Sequence, residues 1–301
     1  MSKLNYCLFC NKENIRFWFT KRSNIDSLKY NIYKCIDCKG SFVWPTPRDD
    51  YLNGFYNSKK NSHGGDVTKQ DLKNYFNNIL ICEDSYPNSS IDAERIIKNC
   101  KKFSLGKEFL DIGAGYGFFT KVAKNNGFNC TAIELSLVNC DIFKLMNGFE
   151  PLNISFDENF ANMNFNKFDI VLLSQVLEHI PDPHLVIQRI YTVLKPGGIC
   201  VIAVPHFGSF ISIFQGKNDM FITPPEHLNF FSFNGLQQAF KINSFTLLIA
   251  HTISRYDKNK LKKYFKNKFL LKFFYLFILI ILKISDIFKK GMFINAYFIK
   301  K

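Results

Sequence analysis

The chain has 301 residues, of which 47% are hydrophobic and 21% are charged, and its formal net charge is +14. This composition supplies enough apolar residues for a sizeable core and excludes a chain that is disordered throughout. The length allows one α/β catalytic domain and a small accessory module.

The positive charge is concentrated near the end of the sequence. Thirteen basic and two acidic residues lie between Arg255 and Lys301, so this segment carries +11 and the rest of the chain only +3. A basic protein suggests a polyanionic partner, but the residues before 255 are nearly balanced. The distribution therefore argues against nucleic acid as the partner of the catalytic region.

Residues 1–50 contain two cysteine pairs and are predicted to form a zinc-binding module. Cys7 and Cys10 make one Cys-x-x-Cys pair, and Cys35 and Cys38 make the other. Two thiolates three residues apart can bind one metal, and four complete a tetrahedron without an open position for catalysis. We expect a structural Zn²⁺; unrelated packing cysteines are the alternative.

No signal peptide is predicted before Cys7, so we expect a cytoplasmic location without disulfides.

Residues 51–107 are predicted to form a mainly helical approach to the catalytic core, with a polar loop over 58–65. Four apolar residues recur at the spacing of one helix face: Ala93, Ile96, Ile97 and Cys100.

From residue 108 to 256 the apolar pattern alternates between strand and helix. The predicted strands are 109–113, 130–134, 169–174, 199–204 and 245–250. Two of them, 169–174 and 199–204, are nearly continuous apolar runs, as expected for parallel strands buried on both faces. With a last strand within 291–301, and a third strand between 134 and 169 whose register the pattern does not fix, the sequence predicts an α/β fold with a doubly wound, seven-stranded sheet.

Residues 257–290 are lysine-rich and strongly apolar, which predicts a helical insertion before the last strand. Ten apolar residues, 273–282, lie between Lys272 and Lys283, far fewer than the ~20 needed to span a bilayer. The two lysines are about three helical turns apart and share a face. The pattern favours peripheral contact with the inner membrane surface; packing on the catalytic domain or a dimer partner is the alternative.

A glycine-rich turn, Asp-Ile-Gly-Ala-Gly-Tyr-Gly over 111–117, follows the first strand of the core. Glycine lets the backbone approach a ligand closely, and the following helix N-terminus adds N–H donors. Dinucleotide-binding turns require a small residue at the position of Phe118, so this turn fits a different cofactor.

The turn and three further motifs resemble those of class I S-adenosylmethionine (SAM)-dependent methyltransferases. Glu134 ends the second strand, where a carboxylate can bind ribose hydroxyls. The string Asp-Ile-Val-Leu-Leu-Ser-Gln-Val-Leu-Glu-His-Ile-Pro-Asp over 169–182 is similar to the fourth-strand region of small-molecule methyltransferases, and Leu-Lys-Pro-Gly-Gly over 194–198 to the turn before their fifth strand. The resemblance covers roughly residues 90–250 and implies a Rossmann-like fold. It also implies SAM binding by Asp111, Gly113, Gly115, Gly117, Glu134, Ser174 and Gln175. An acidic adenine contact is not clear; Asp157 and Glu158 are the candidates.

Three histidines, His179, His206 and His227, follow predicted strands at the edge where the active site is expected. An imidazole titrates near neutral pH and can accept a proton from an acceptor. Methyltransferases that act on nucleotide-linked deoxysugars combine a four-cysteine module with a Glu-His pair after the fifth strand. The resemblance implies that His227 is the general base and that Glu226 orients or tunes it. A rim-shaping role for 224–232, or contact of Glu226 with the acceptor, is the alternative.

These patterns favour methyl transfer from SAM to a small-molecule acceptor such as a sugar or glycan precursor. The extra C-terminal domain of the sugar C-methyltransferases has no counterpart here, so O-, N- and C-methylation stay open. A zinc-containing RNA base methyltransferase is the second hypothesis. The nearly balanced catalytic region, and Ser-Gln-Val-Leu at 174–177 instead of an Asn-Pro-Pro-Tyr-like motif, argue against it. An inactive SAM-fold scaffold is disfavoured by the intact glycine turn, and the oligomeric state is left open.

Overall fold

The computed structural model describes residues 4–47, 51, 71–85, 88–265 and 267–301. The loop predicted over 58–65 lies outside these residues. The described part contains a small antiparallel sheet and a larger mixed sheet with helices on both of its faces.

The small sheet combines the N-terminal module with a strand from much later in the chain. Its four strands follow the order β1-β2-β3-β8. Their bounds are β1 Ile15–Arg22, β2 Lys29–Cys35, β3 Ser41–Val43 and β8 Asn229–Phe230. Ser41 is paired with Phe230 and Phe42 with Asn229, in antiparallel register. The N-terminal sheet is therefore completed by residues that directly follow the candidate base His227.

Two helices precede the large sheet: α1 Leu72–Ser85 and α2 Ser89–Phe103. The four residues expected on one face of α2 are all buried, as their spacing predicted. Ile96, Ile97 and Cys100 pack with Phe109, Ile170 and Tyr297 against one face of the sheet. Helix α2 thus covers the sheet on the side opposite the N-terminal module.

The large sheet has six strands in the order β5-β4-β6-β7-β10-β9. The strands are β4 Glu108–Ile112, β5 Asn129–Ile133, β6 Phe168–Ser174, β7 Leu194–Pro205, β9 Phe245–Ile253 and β10 Phe293–Lys300. The helices between them are α3 Phe118–Asn125, α4 Leu137–Asn147, α5 Glu158–Met163, α6 Pro183–Val193, α7 Phe210–Gln215 and α8 Phe233–Ile242. Strands β4 to β7 are parallel, whereas β10 runs antiparallel to both of its neighbours. This is a Rossmann-like α/β fold.

The third strand that a seven-stranded sheet requires, between β5 and β6 in the chain, is reduced to a single bridge among the described residues. Leu152 alone pairs, in parallel, with Ile133 at the outer edge of β5. Pro151 has no N–H for a ladder, and the side-chain amide of Asn153 instead donates to the carbonyls of Glu134 and Leu135. Because these two neighbours do not continue the pairing, the large sheet has six strands among the described residues, and the prediction of seven is not confirmed.

The lysine-rich insertion forms two helices, α9 Asn259–Lys262 and α10 Lys268–Ile287. In α10, only Leu271, Leu282 and Ser285 are buried. Among the described residues, no helix is both long and apolar enough to cross a bilayer.

The N-terminal module is joined to the large sheet through a shared apolar core. The buried ring of Phe9 lies 4.6 Å from that of Phe231 and 5.7 Å from that of Phe42, centroid to centroid. The hydroxyl of Ser232 donates a hydrogen bond to the carbonyl of Cys38, and the amide of Val43 donates to the carbonyl of Leu228 (2.9 Å). The module therefore holds residues 228–232 on both sides of β8.

Candidate active site

The glycine turn between β4 and α3 has an open side at Gly115. Gly113, Gly115 and Gly117 all have positive φ, at 68°, 53° and 85°. A Cβ atom at Gly113 would meet Val176, and one at Gly117 would meet Phe143 and Asn147, whereas one at Gly115 would meet nothing within 4 Å. Two glycines are therefore required by packing, and Gly115 faces space in which a ligand can lie against the backbone.

Asp111 lies in β4 directly before the turn and stabilises it. Its carboxylate is buried and accepts a 2.7 Å hydrogen bond from the hydroxyl of Thr120 in α3. Burial, together with the charge of Glu134, raises the pKa of Asp111 to about 7. In this structure the carboxylate connects the end of β4 to the first turns of α3.

Glu134 follows β5 and lies directly beside the open glycine. One carboxylate oxygen accepts a hydrogen bond from the amide of Gly115 and the other from the amide of Ser136, both at 2.8 Å. The structure thus brings together two residues that are 19 positions apart and that the sequence assigned to one cofactor.

Ser174 and Gln175 end β6 next to the same turn. Ser174 is half-buried, and Gln175 has a φ of 57°, with its amide and side-chain nitrogens both donating to the carbonyl of Ala203. The next residue, Val176, packs against Gly113. The predicted cofactor residues therefore surround one end of the sheet. Asp157, a candidate for the adenine contact, accepts a hydrogen bond from the amide of Phe160 and caps α5.

Tyr75, which is not among the predicted site residues, contacts Tyr116 of the glycine turn. The hydroxyl of Tyr75 in α1 lies 2.8 Å from that of Tyr116, and burial raises the pKa of Tyr116. No local sequence pattern indicates this contact, because Tyr75 and Tyr116 are 41 positions apart. Helix α1 is thereby fixed next to the candidate cofactor site.

His179 and His227 form a ring pair beyond the ends of β6 and β7. Their centroids are 4.8 Å apart. The Nδ1 atom of His179 lies 2.7 Å from the carbonyl of Glu226, and that of His227 lies 2.8 Å from the carbonyl of Phe221. Since a carbonyl only accepts, each Nδ1 carries a proton, and Nε2 is the basic nitrogen of each neutral ring. His227 is oriented by the hydrogen bond that its Nδ1–H donates to a main-chain carbonyl. The sequence did not indicate this partner.

Glu178 lies beneath this pair and was not predicted. Its side chain is 1% exposed, and neither carboxylate oxygen has a hydrogen-bond partner among the described residues. Ligand-type atoms of Glu178, His179 and His227 lie within 4.8 Å of one another. Burial raises the pKa of Glu178 to about 8, and the charge of Glu226 adds to this effect. Glu178 is therefore protonated at neutral pH.

His206, the third histidine considered, is buried and is not part of the His179–His227 ring pair. Its Nδ1 lies 2.9 Å from the carbonyl of Gly291, and burial lowers its pKa to about 4. Its amide donates to the carbonyl of Met292, which joins the end of β7 to the start of β10. This arrangement gives His206 a structural role.

The four cysteines of the N-terminal module converge on one point. Their sulfur atoms all lie within 4.8 Å of one another, with Cys7–Cys38 and Cys10–Cys35 separations of 3.7 Å. Zn–S bonds of about 2.3 Å in a tetrahedron require sulfurs about 3.8 Å apart. Contact with Cys38 lowers the pKa of Cys7, whereas contact with Cys7 raises the pKa of Cys38 and burial raises that of Cys10, so the fit to a metal rests on the spacing of the sulfurs. The set therefore fits a zinc ion.

Replacing Glu178 with glutamine tests the buried carboxyl group. Its raised pKa means that the folded protein keeps a proton that the unfolded chain releases above about pH 4.5. The free energy of unfolding should therefore fall as pH rises from about 4.5 to 8, by up to about 1.4 kcal/mol per pH unit. Glu178→Gln should remove this part of the decline.

Denaturant unfolding at pH 5 and pH 8 measures the effect, with Glu158→Gln at an exposed glutamate as the matched control. A stability difference between wild type and Glu178→Gln that is equal at both pH values would contradict the assignment.

Comparison with known proteins assigns the central part of the chain to a family. The profile of the methyltransferase domain family matches residues 90–249. A ubiquinone biosynthesis O-methyltransferase of Coxiella burnetii is 31% identical over 96 residues, which are 31% of this chain and 41% of that protein. The match thus spans about two fifths of the length of such curated relatives.

Solved structures show the same fold at low sequence identity. A SAM-dependent methyltransferase of Archaeoglobus fulgidus aligns with a TM-score of 0.50 and 17% identity, covering 74% of this chain and 99% of that one. A SAM-dependent methyltransferase of Thermotoga maritima, described as a possible histamine N-methyltransferase, aligns with a TM-score of 0.51 and 15% identity, covering 78% and 100%. With the glycine turn and Glu134 at the expected edge of the sheet, the chain belongs to the methyltransferase domain family.

Proposed function

We propose that the protein transfers a methyl group from SAM to a small-molecule acceptor, a sugar or glycan precursor. The observation that carries the proposal is the open space at Gly115 with the carboxylate of Glu134 beside it. The relative from Coxiella burnetii, named for an O-methyl transfer in ubiquinone biosynthesis, supports an acceptor of small-molecule type.

Cofactor binding is assigned to the edge formed by the ends of β4, β5 and β6. Gly115 allows the methionine part of SAM to approach the backbone, and Glu134 accepts hydrogen bonds from its ribose. Asp111, Gly113 and Gly117 maintain the turn, and Ser174 and Gln175 border the site. When bound, SAM supplies an electrophilic methyl group, so the protein has mainly to align an acceptor atom with it.

Proton removal from the acceptor is assigned to Nε2 of His227. Its Nδ1–H is fixed on the carbonyl of Phe221, so the basic nitrogen has a defined direction. Glu226 lies next to it in sequence and is close enough to Glu178 to affect the pKa of that group. We assign Glu226 to stabilising the charged imidazolium or to binding the acceptor, and His179 to packing against the base.

The four-cysteine cluster is assigned to a structural Zn²⁺ that stabilises the N-terminal module. The module's short strands and few core residues are typical of folds that depend on a metal. Residues 257–290 are assigned to peripheral contact with the inner surface of the cytoplasmic membrane, because apolar and lysine side chains are exposed together on α10.

Gly115→Val tests the cofactor site. The branched side chain should occupy the ligand's space, and calorimetry should find no measurable SAM binding. Gly127→Val is the matched control, because Gly127 has a φ of 84° and equally open surroundings but lies at the end of α3. Both variants should lose a similar ~1–2 kcal/mol of stability from backbone strain. SAM affinity that is unchanged in Gly115→Val, or equally reduced in both, would rule out the placement.

His227→Asn tests the base. An asparagine amide can keep the hydrogen bond to the Phe221 carbonyl but provides no basic nitrogen at the Nε2 position. Transfer of radiolabelled methyl groups to a panel of nucleotide sugars should fall by ~10²–10⁴-fold, with SAM affinity unchanged.

His227→Ala should show the same loss, and His251→Ala, on β9, is the control for removing a histidine elsewhere. Near wild-type turnover in His227→Asn would remove this residue from the mechanism. Labelling of bulk RNA instead of sugars would favour the RNA methyltransferase.

Metal content tests the zinc assignment. Elemental analysis of purified protein should give about one zinc per chain, as expected for one four-thiolate site. Cys35→Ser combined with Cys38→Ser should abolish it, whereas Cys82→Ser, at an exposed cysteine outside the cluster, should not. Zinc-free wild type, or zinc retained by the double variant, would contradict the site.

A further inference from the structure

We propose that α7 and α10 together form a membrane-docking surface, which turns the candidate active-site edge of the sheet toward an anionic bilayer. The proposal of membrane docking does not depend on the proposed reaction. Its consequence, that the acceptor is attached to a lipid and is presented from the same bilayer, rests on the proposed function.

Helix α10 has one exposed apolar stripe. Six large side chains follow each other at helical spacing and all point to the same side: Phe269, Phe273, Phe277, Ile280, Ile284 and Ile287. Phe269 is 77% exposed and Ile287 is 71% exposed. The buried residues of the helix, Leu271 and Leu282, lie on the opposite side, where α10 packs on the protein. The stripe is therefore an outward-facing surface about 27 Å long, from the ~1.5 Å rise per residue.

Helix α7 contributes a second apolar group next to the end of α10. Ile213 and Phe214 are 61% and 93% exposed. The amide of Phe210 donates to the carbonyl of Lys290, and the Lys290 ammonium lies 3.3 Å from the carbonyl of Gly208. These bonds fix the start of α7 to the segment that leaves α10, so the two helices are neighbours.

The surrounding charge identifies the occupant as an anionic lipid surface. Lys268, Lys272 and Lys283 are exposed along one flank of the stripe. Basic groups beside an exposed apolar stripe match lipid phosphates beside acyl chains, at ~1 kcal/mol per basic residue close to the surface.

A second copy of the chain fits this surface less well. A two-fold interface places the same patch on both partners, so it would bring two lysine-rich surfaces against each other. Crossing the bilayer is also excluded for the described helices, none of which is long and apolar enough. A helix with an exposed apolar face and flanking lysines instead lies in the interface between headgroups and acyl chains.

The surface and the candidate site lie at the same edge of the sheet. Phe293, which begins β10 after α10, is paired with Pro205 at the end of β7. The ring of Phe293 is 5.3 Å from that of Phe221, and the carbonyl of Phe221 orients the ring of His227. Docking through α7 and α10 therefore places the histidine pair close to the membrane.

Vesicle flotation of the full chain tests the docking. Wild type should float with vesicles of phosphatidylcholine containing phosphatidylglycerol at low salt and should not float with phosphatidylcholine alone. A triple variant, Phe269→Ser with Phe273→Ser and Phe277→Ser, should bind more than ~10-fold more weakly, because each serine removes a ring worth over ~1.4 kcal/mol of apolar transfer. Ile213→Ser with Phe214→Ser should also weaken binding.

The matched control replaces three exposed apolar residues at the opposite edge: Leu105→Ser, Met163→Ser and Phe165→Ser. This variant should float like wild type. Wild type that does not bind anionic vesicles, or a stripe variant that binds as tightly as wild type, would overturn the proposal. So would a dimer in analytical ultracentrifugation that the stripe variant disrupts, without any vesicle binding by wild type.

Two further measurements separate this proposal from the proposed reaction. Calorimetry should give the same SAM affinity for the stripe variant and wild type; flotation without any SAM binding would retain the docking and reject the reaction. With native membranes and radiolabelled SAM, label extracted into the organic phase supports a lipid-attached acceptor. Label confined to the aqueous phase overturns that consequence.

Discussion

The packing of the N-terminal module against residues 228–232 determines the geometry of the candidate catalytic loop. Strand β8 is only two residues long and is paired with β3, so the loop is held by a sheet whose other strands come from the module. Phe9 fills the space between the cysteine cluster and Phe231, and a Cβ atom at Gly40 would meet its ring at 2.6 Å. A close-packed contact of this kind has little freedom to shift. We therefore expect loosening of the cysteine cluster to change the position of His227, although a zinc ion bound by four thiolates would have no open coordination position.

Two loops form the candidate site, and each carries different ionisable side chains. The loop after β6 carries a buried, protonated Glu178, and the loop before β8 carries His227 and Glu226. They are joined by the amide of Leu228, which donates to the carbonyl of Glu178, and by the side chain of Asn229, which donates to the carbonyl of Ile180. A neutral carboxyl group below the histidines avoids a cluster of uncompensated negative charge. The main-chain bonds keep the rings in place without depending on a charged partner.

Features encoded by short-range spacing could be predicted, and those formed by distant segments could not. The cysteine pairs, the glycine turn with Glu134 and the buried face of α2 each depend on a local pattern with a direct physical meaning. The pairing of β3 with β8 joins residues nearly 190 positions apart, and the Tyr75–Tyr116 contact joins two elements with no shared pattern. The burial of Glu178 could not be predicted for another reason: the residues next to it in the sequence are typical of a loop that contains an acidic residue. The expected third strand does not form at Leu152, because Pro151 lacks an N–H donor and because the side-chain amide of Asn153 donates to the carbonyl of Glu134 instead.

The position of β10 has a consequence for the order in which the sheet is assembled. This strand is the last of the sheet in chain order, yet it lies between β7 and β9 and bonds to both along nearly its whole length. Until residues 293–300 have left the ribosome, β7 and β9 each present an unpaired edge, and the Phe240–Phe298 ring stack cannot form. Helix α10, with its exposed apolar stripe, is synthesised before that strand. The nascent chain therefore carries unpaired strand edges and an apolar helix at the same time, and this is the interval in which aggregation is most favoured.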